Sequence, residues 1–180
     1  MGVRVLLDED RVFVTYHSAS VFSGDDLFEE DYDLEQAWTG QSNGLCGAAV
    51  EGLLLLNVGQ HTGWVPFRVE LHAGEPSVDD RWEDIVDVSF RPARDSVHLA
   101  GLDGEAYPLV LPRQDYRVRY LACGLDEAQA EDGRDAYLMQ LWPAPPAADR
   151  IVRQTSEQAA YWHRSHRPPT PQEEAEENRQ

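Results

Sequence analysis

Seven carboxylates crowd one short stretch, VFSGDDLFEEDYDLEQAW (residues 21–38): Asp25, Asp26, Glu29, Glu30, Asp31, Asp33 and Glu35. They are interleaved with Phe22, Leu27, Phe28, Tyr32 and Trp38, and no Lys or Arg occurs between Arg11 and Arg68 to neutralise them. Like charges held this close repel one another, and their summed field reaches well beyond contact distance. Two readings are open. In the first the stretch is a solvated acidic loop whose Phe28 and Trp38 pin it to the protein body. In the second it is a surface made for a strongly basic partner.

Other residues with chemical potential do not converge. Glu83, Asp84 and Asp87 in DDRWEDIVDVSF could supply the acid and base of a hydrolase. However, strand alternation from Trp82 sends Glu83 and Ile85 to one face and Asp84 and Val86 to the other. His163 and His166 stand three apart in WHRSH, but no Cys or carboxylate nearby completes a zinc set. They read as the basic end of a helix, where cations suit the dipole. Cys46 and Cys123 are 77 positions apart, which excludes a CxxC motif, and both read as free buried thiols in strands. TGQSNGLCG (39–47) is glycine-rich but leads into a strand, so no helix N-terminus follows to bind phosphate. No nucleophile elbow or P-loop occurs. The residues predict no catalytic group, no metal and no cofactor.

Composition narrows the partners. The 180 residues carry 33 acids against 15 cations, all arginine, for a net charge of −18. Only Glu173, Glu174, Glu176 and Glu177 lie beyond His163, so the excess belongs to the folded body. Such a chain is repelled by nucleic-acid phosphate and by anionic membranes, and attracts basic proteins. MGVRVLLDEDRVFV lacks the apolar core of a signal peptide, no apolar run is long enough to span a bilayer, and Leu6 breaks the myristoylation pattern. The expectation is a cytoplasmic protein that binds neither membrane nor nucleic acid directly.

Strands must position these groups. Short β-type runs recur at 3–7, 11–18, 44–59, 62–71, 82–90, 95–102, 106–111, 115–124 and 135–144. In TGWVPFRVEL, Val65, Phe67, Val69 and Leu71 alternate with Trp64, Pro66, Arg68 and Glu70, which is the pattern of a half-buried antiparallel strand. VRVLL and RVFVTYHS flank the tight DED, suggesting a hairpin turn or a strand pair there, and LDEAQAEDG (125–133) suggests a helical turn or two. The pattern predicts a mainly β fold: an antiparallel β-sandwich of about eight or nine strands over residues 1–144. A linker, PAPPAAD, and a short helix with Thr155 or Ser156 as N-cap occupy 145–167, with Ala159, Ala160 and Trp162 facing inward. Residues 168–180, polar and Pro-rich, read as a disordered acidic tail.

The order of these features resembles the competence protein J family, inhibitors of the DNA-entry nuclease, with related immunity-like proteins of actinobacteria. The similar elements are VFVTYHSASVF with its Tyr16–His17 pair, a charged segment ending at Trp38, and the small-residue entry GLCGAAVEGLLLL. TGWVPFRVEL and then RQDYRVRYLA, with Asp115 and Tyr116, follow in the same order. The resemblance runs over about residues 11–142 and implies a compact β protein that blocks a nuclease or nuclease-like toxin. The acid–aromatic segment then becomes the candidate partner surface: Asp25, Asp26, Phe28, Glu29, Glu30, Asp31, Tyr32, Asp33 and Trp38. A competing expectation is a non-catalytic subunit of a larger bacterial assembly, docked through the C-terminal helix with Trp142, Tyr161 and Trp162.

Overall fold

The computed structural model describes residues 2–130, 133–166 and 170–179. Among these, eleven strands join into one sheet that curls on itself as an open half-barrel. Its larger limb runs β11 (Arg150–Arg153), β6 (Asp84–Phe90), β9 (Tyr116–Cys123), β10 (Ala136–Pro143), β5 (Thr62–Leu71) and β1 (Arg4–Thr15). The smaller limb centres on β2 (Ser18–Ser23), flanked by β4 (Leu53–Asn57) and β7 (Val97–Gly101). Beyond these lie β3 (Cys46–Gly47) and β8 (Ala106–Pro108).

The mainly β expectation and the short C-terminal helix are found. The expected antiparallel sandwich of eight or nine strands is corrected: the described residues form eleven strands in one curled sheet, and that sheet is mixed. Strand β10 lies parallel to β5, with Tyr137 opposite Phe67 and Leu141 opposite Leu71. The chain between them is long enough for the crossover that parallel neighbours need. The expected turn at DED is also corrected. Residues 4–15 form one strand along β5, and register shifts at Val5/Leu7 and Glu9/Val12 absorb the charged run. The hairpin turn lies instead at Tyr16–His17, both left-handed, with φ of 52° and 56°. GLCGAAVEGLLLLNVG divides into β3, a turn and β4. The predicted turn at 125–133 is seen as turns up to residue 130; Glu131 and Asp132 lie outside the described residues.

One apolar cluster draws on both limbs, from Val12, Val14 and Val21 to Val65, Phe67, Val88, Val118 and Met139. At its centre the near-parallel rings of Tyr137, Phe67 and Tyr120 pack as a triangle, with centroids 5.1, 6.0 and 6.4 Å apart. The tyrosine hydroxyls are satisfied: Tyr120 donates to the Asn57 carbonyl at 2.9 Å and Tyr137 to Asp135 at 2.6 Å. On the outer face of the larger limb, Arg119 and Asp87 form an ion pair with side chains only 1% and 2% exposed. Arg119 grips Asp87 through Nε and Nη2 at 2.9 and 3.1 Å and also donates to the Pro76 carbonyl at 2.7 Å. Arg150 adds a third donor to Asp87 at 2.8 Å, and the Arg119 guanidinium lies 5.3 Å from the Trp142 ring. Bidentate pairing with the remaining donors satisfied is what a buried pair requires.

Helix α1 (Glu157–His166) closes one end of the core with Ala159 and Trp162. Its free N–H groups are capped by Ser156, which accepts from Ala159, and by Asp126, which accepts from Glu157 and Gln158. Near its far end the buried His163 accepts the Gly44 N–H through Nδ1 at 2.8 Å. A second helix, α2 (Pro171–Glu177), starts from a Thr170–Glu173 capping box and is exposed throughout.

Two outcomes follow. Arg119→Leu leaves the buried Asp87 carboxylate with Arg150 as its remaining ion-pair partner and should cost about 3 kcal/mol in urea unfolding, while Arg119→Leu with Asp87→Leu should cost less. An unchanged midpoint for the single variant contradicts this. For His163, burial lowers the imidazole pKa against the opposing pull of Asp84 and Asp149, with His166 lowering it further. The unfolded chain therefore takes up the proton first, so stability is full above about pH 6.5 and is lost as pH falls below it. His163→Asn keeps an acceptor near Gly44 and does not titrate. Its unfolding free energy should fall less between pH 7.5 and 5.5 than that of the natural protein.

Candidate functional site

The acidic segment does not float. Residues 24–38 fold back over the outer face of the smaller limb, where Phe22, Leu53 and Ala100 receive Leu27, Tyr32, Leu34, Ala37 and Trp38. Its entry is fixed by Gly24, whose N–H donates to Ser96 and whose carbonyl lies 2.7 Å from His98 Nδ1. Gly24 has φ 109°, and a Cβ there would run into the Glu30 carboxyl group. Asp26 accepts the Phe28 N–H at 2.9 Å, tightening the first turn. A 3-10 turn at Leu34–Trp38 ends the segment.

This geometry separates the nine residues singled out from sequence. Tyr32 is half-buried, and its hydroxyl lies 2.8 and 3.2 Å from the carbonyls of Ser23 and Gly52. Burial raises its pKa, against the lowering effect of its bond to Ser23. Trp38, also half-buried, stacks on His166 of α1 with centroids 3.9 Å apart. Both spend their contacts on the protein itself and pin the segment. Glu30 is tucked in and pairs with Arg94 at 2.9 Å, so a cation distant in sequence reaches the cluster after all. Asp25, Asp26, Glu29, Asp31 and Asp33 are exposed, and among the described residues none of them forms an ion pair. Phe28 stands among them with 67% of its surface exposed.

The other sequence candidates are occupied structurally. Asp84 accepts the Thr155 and Ser156 N–H groups, Glu83 accepts from Gly124, and Asp87 holds Arg119. In the 39–47 loop the Ser42 and Asn43 N–H groups already point at the Asp149 carboxylate, at 2.8 and 2.7 Å. Cys46 is buried, and its thiol is pushed above its ordinary pKa by desolvation. Of the aromatics assigned to helix docking, Trp142 and Trp162 are buried, which leaves Tyr161 exposed on α1. Among the described residues, no three His, Cys, Asp or Glu converge on a metal-sized site, and no helix is long and apolar enough to cross a membrane.

Sequence reasoning missed the neighbourhood of the segment. A groove of ≈ 300 Å³ runs between Asp25–Phe28 and the turn after β7, with Phe22 and Leu27 in its wall and Asp103 at its rim. Asp103 looks like an ordinary turn residue in sequence. Only the β2–β7 pairing, Phe22 opposite His98, brings that turn beside the segment.

No protein family model matches the chain, and no curated protein matches its sequence. The fold is similar to that of ComJ, inhibitor of the DNA degrading activity of NucA, from Bacillus subtilis. The TM-score is 0.55 at 17% identity, over 80% of this chain and 100% of that chain. It is also similar to the product of crocagin biosynthetic gene J, with a TM-score of 0.52 at 16% identity, over 81% of this chain and 100% of that chain. The resemblance read from the order of motifs therefore holds for the fold.

The exposed carboxylates make a salt prediction. With Glu30–Arg94 as the one ion pair in the segment among the described residues, repulsion outweighs attraction there. Raising sodium chloride from ~20 to ~300 mM should raise the melting temperature by screening. A falling melting temperature would mean that ion pairs elsewhere dominate the balance.

Proposed function

We propose that the protein is a non-catalytic inhibitor that binds a basic nuclease, or a nuclease-like toxin, in the cytoplasm. Its acidic segment is the contact surface. The observation that carries this reading is the presentation of Phe28. A large apolar side chain is held in solvent, on a pinned segment, among sequence neighbours that are exposed carboxylates without an ion pair among the described residues. The likeness in fold to ComJ supports it.

The geometry supports a division of labour. Asp25, Asp26, Glu29, Asp31 and Asp33 supply the field that draws a basic cleft and takes the place of nucleic-acid phosphate. Phe28 supplies the apolar anchor that is desolvated on contact. Glu30, Tyr32 and Trp38 hold the segment in shape, so little ordering entropy is lost on binding. No cofactor or metal has a part in such a mechanism.

The test is kinetic, with a basic nuclease whose DNA-degrading activity the protein inhibits and a DNA-degradation assay. The combined variant Asp25→Asn, Asp26→Asn, Glu29→Gln should slow association and flatten its salt dependence. Phe28→Ala should speed dissociation, at a cost of ~2 kcal/mol or more. If every one of these folded variants protects DNA as well as the natural protein, the segment is not the inhibitory surface.

A further inference from the structure

Beside the acidic segment, the outer face of β1 and β5 carries an aromatic shelf. Trp64 is 55% exposed, although it belongs to a strand whose other face is core. Phe13 packs against it edge-on, with ring centroids 5.2 Å apart, and the Arg11 guanidinium sits 4.8 Å from the indole. With Tyr107 of β8 these rings line a shallow groove of ≈ 360 Å³, walled by Asp103, Gly104 and Glu105. Asp103 and Gly104 also line the groove beside Phe28. The two grooves are therefore one surface, divided by the β7–β8 turn.

That turn is a fixed ridge. The Gly104 N–H donates to the Gly101 carbonyl at 3.0 Å, and Leu102 N–H donates to Ser18 at 3.2 Å. A Cβ on Gly104 would stand 2.7 Å from the Phe13 carbonyl oxygen, so only glycine lets the turn lie this close to β1. Asp103 is left-handed, with φ 60°, which aims an exposed carboxylate from the crest. An aromatic shelf and the exposed Phe28 on either side of a rigid ridge form an apolar surface of the kind that marks protein contacts.

We infer that this surface, straddling the β7–β8 turn, is a docking site for an arginine-bearing loop of a protein partner. The inference rests on the partner-binding reading above and extends it to residues outside the acidic segment. Charge complementarity selects the occupant: Asp25, Asp26, Asp103 and Glu105 rim the grooves, and among the described residues none of them forms an ion pair. In the groove beside Phe28, the methylenes of an arginine lie along Leu27 and Phe22 while its guanidinium meets Asp103 and Asp25. On the other side of the ridge, Trp64, Phe13 and Tyr107 take an apolar side chain of the same loop. The opposite chemistry, a phosphate or an acidic peptide, is repelled.

The probe is a short synthetic peptide carrying one arginine and one leucine, capped at both ends, titrated against the 15N-labelled full chain. Amide shifts should cluster at 25–28, 64 and 101–107 and saturate. Asp103→Asn, which suits a left-handed position and should fold normally, should weaken the peptide roughly tenfold. Glu177→Gln removes the same charge from the exposed helix α2 and should leave affinity unchanged. Equal weakening by both variants, or shifts spread over all carboxylates, overturns the site. The same variants in the nuclease assay separate the two claims. DNA protection that survives while Asp103→Asn has no effect on the peptide overturns the docking surface and leaves inhibition standing. Localised peptide binding with no nuclease inhibited supports the surface and removes inhibition.

Discussion

The two residues at which the sheet bends, Tyr16 and His17, constrain everything built around them. Strand β1 pairs with β5 up to Thr15, and β2 keeps a single bridge to β1 before it leaves to join β4 and β7. Making that corner without glycine puts two side chains in the left-handed region, at about 1–2 kcal/mol each. The corner is over-determined by its surroundings. His17 N–H donates to His61, Val58 N–H donates to the His17 carbonyl, and the His17 ring packs edge-on against His61 and Trp162. Strain of this size persists where neighbouring contacts offset it. Because of the bend, the limbs enclose one core and the outer face of the smaller limb is left for residues 24–38 to cover. The same bend lays the β7–β8 turn against β1.

Charge is distributed unevenly over this frame. Arg119, Arg150 and Arg153 gather on the β6–β9–β11 side, where Asp87, Glu75 and Asp80 engage them. Nearby, Arg117 straps the Pro-rich linker through the carbonyls of Ala147 and Ala148. With arginines committed to framework contacts there, the acidic segment keeps Arg94 as its ion-pair partner, bound to the one carboxylate of the cluster that is tucked in. A field that would be averaged out by mixed charges is thereby concentrated on the face that also exposes Phe28 and Trp64.

Much of this was legible in the sequence where local pattern decides. The alternation in TGWVPFRVEL marked β5 to the residue, and Ser156 capped the helix foreseen for it. What depends on distant pairing was not. Asp8–Asp10 read as a turn because charge breaks the apolar pattern, yet β5 runs long enough to hold β1 straight through it. The parallel β5–β10 pairing and the short strand β11 leave no trace that alternation can show. Within the site, the acid–aromatic composition was plain, but composition cannot tell an anchor from a pin. Tyr32 became a pin because Ser23 and Gly52 present their carbonyls to it, and Phe28 stayed exposed because none of the described residues folds over it. Asp103 escaped notice, and Trp64 read only as the outward side of a strand, because their neighbours come from other strands.

The central claim is that one face of the molecule, built from the acidic segment and the β7–β8 turn, meets the partner. Hydrogen–deuterium exchange of the protein alone and saturated with a basic nuclease that it inhibits tests it most directly. The account predicts slowed exchange confined to residues 24–31, the start of β5 near Trp64, and 101–107, with α1 and the β6–β9–β11 face unchanged. Slowed exchange centred on α1 around Tyr161, or on the arginine-bearing face, would contradict it.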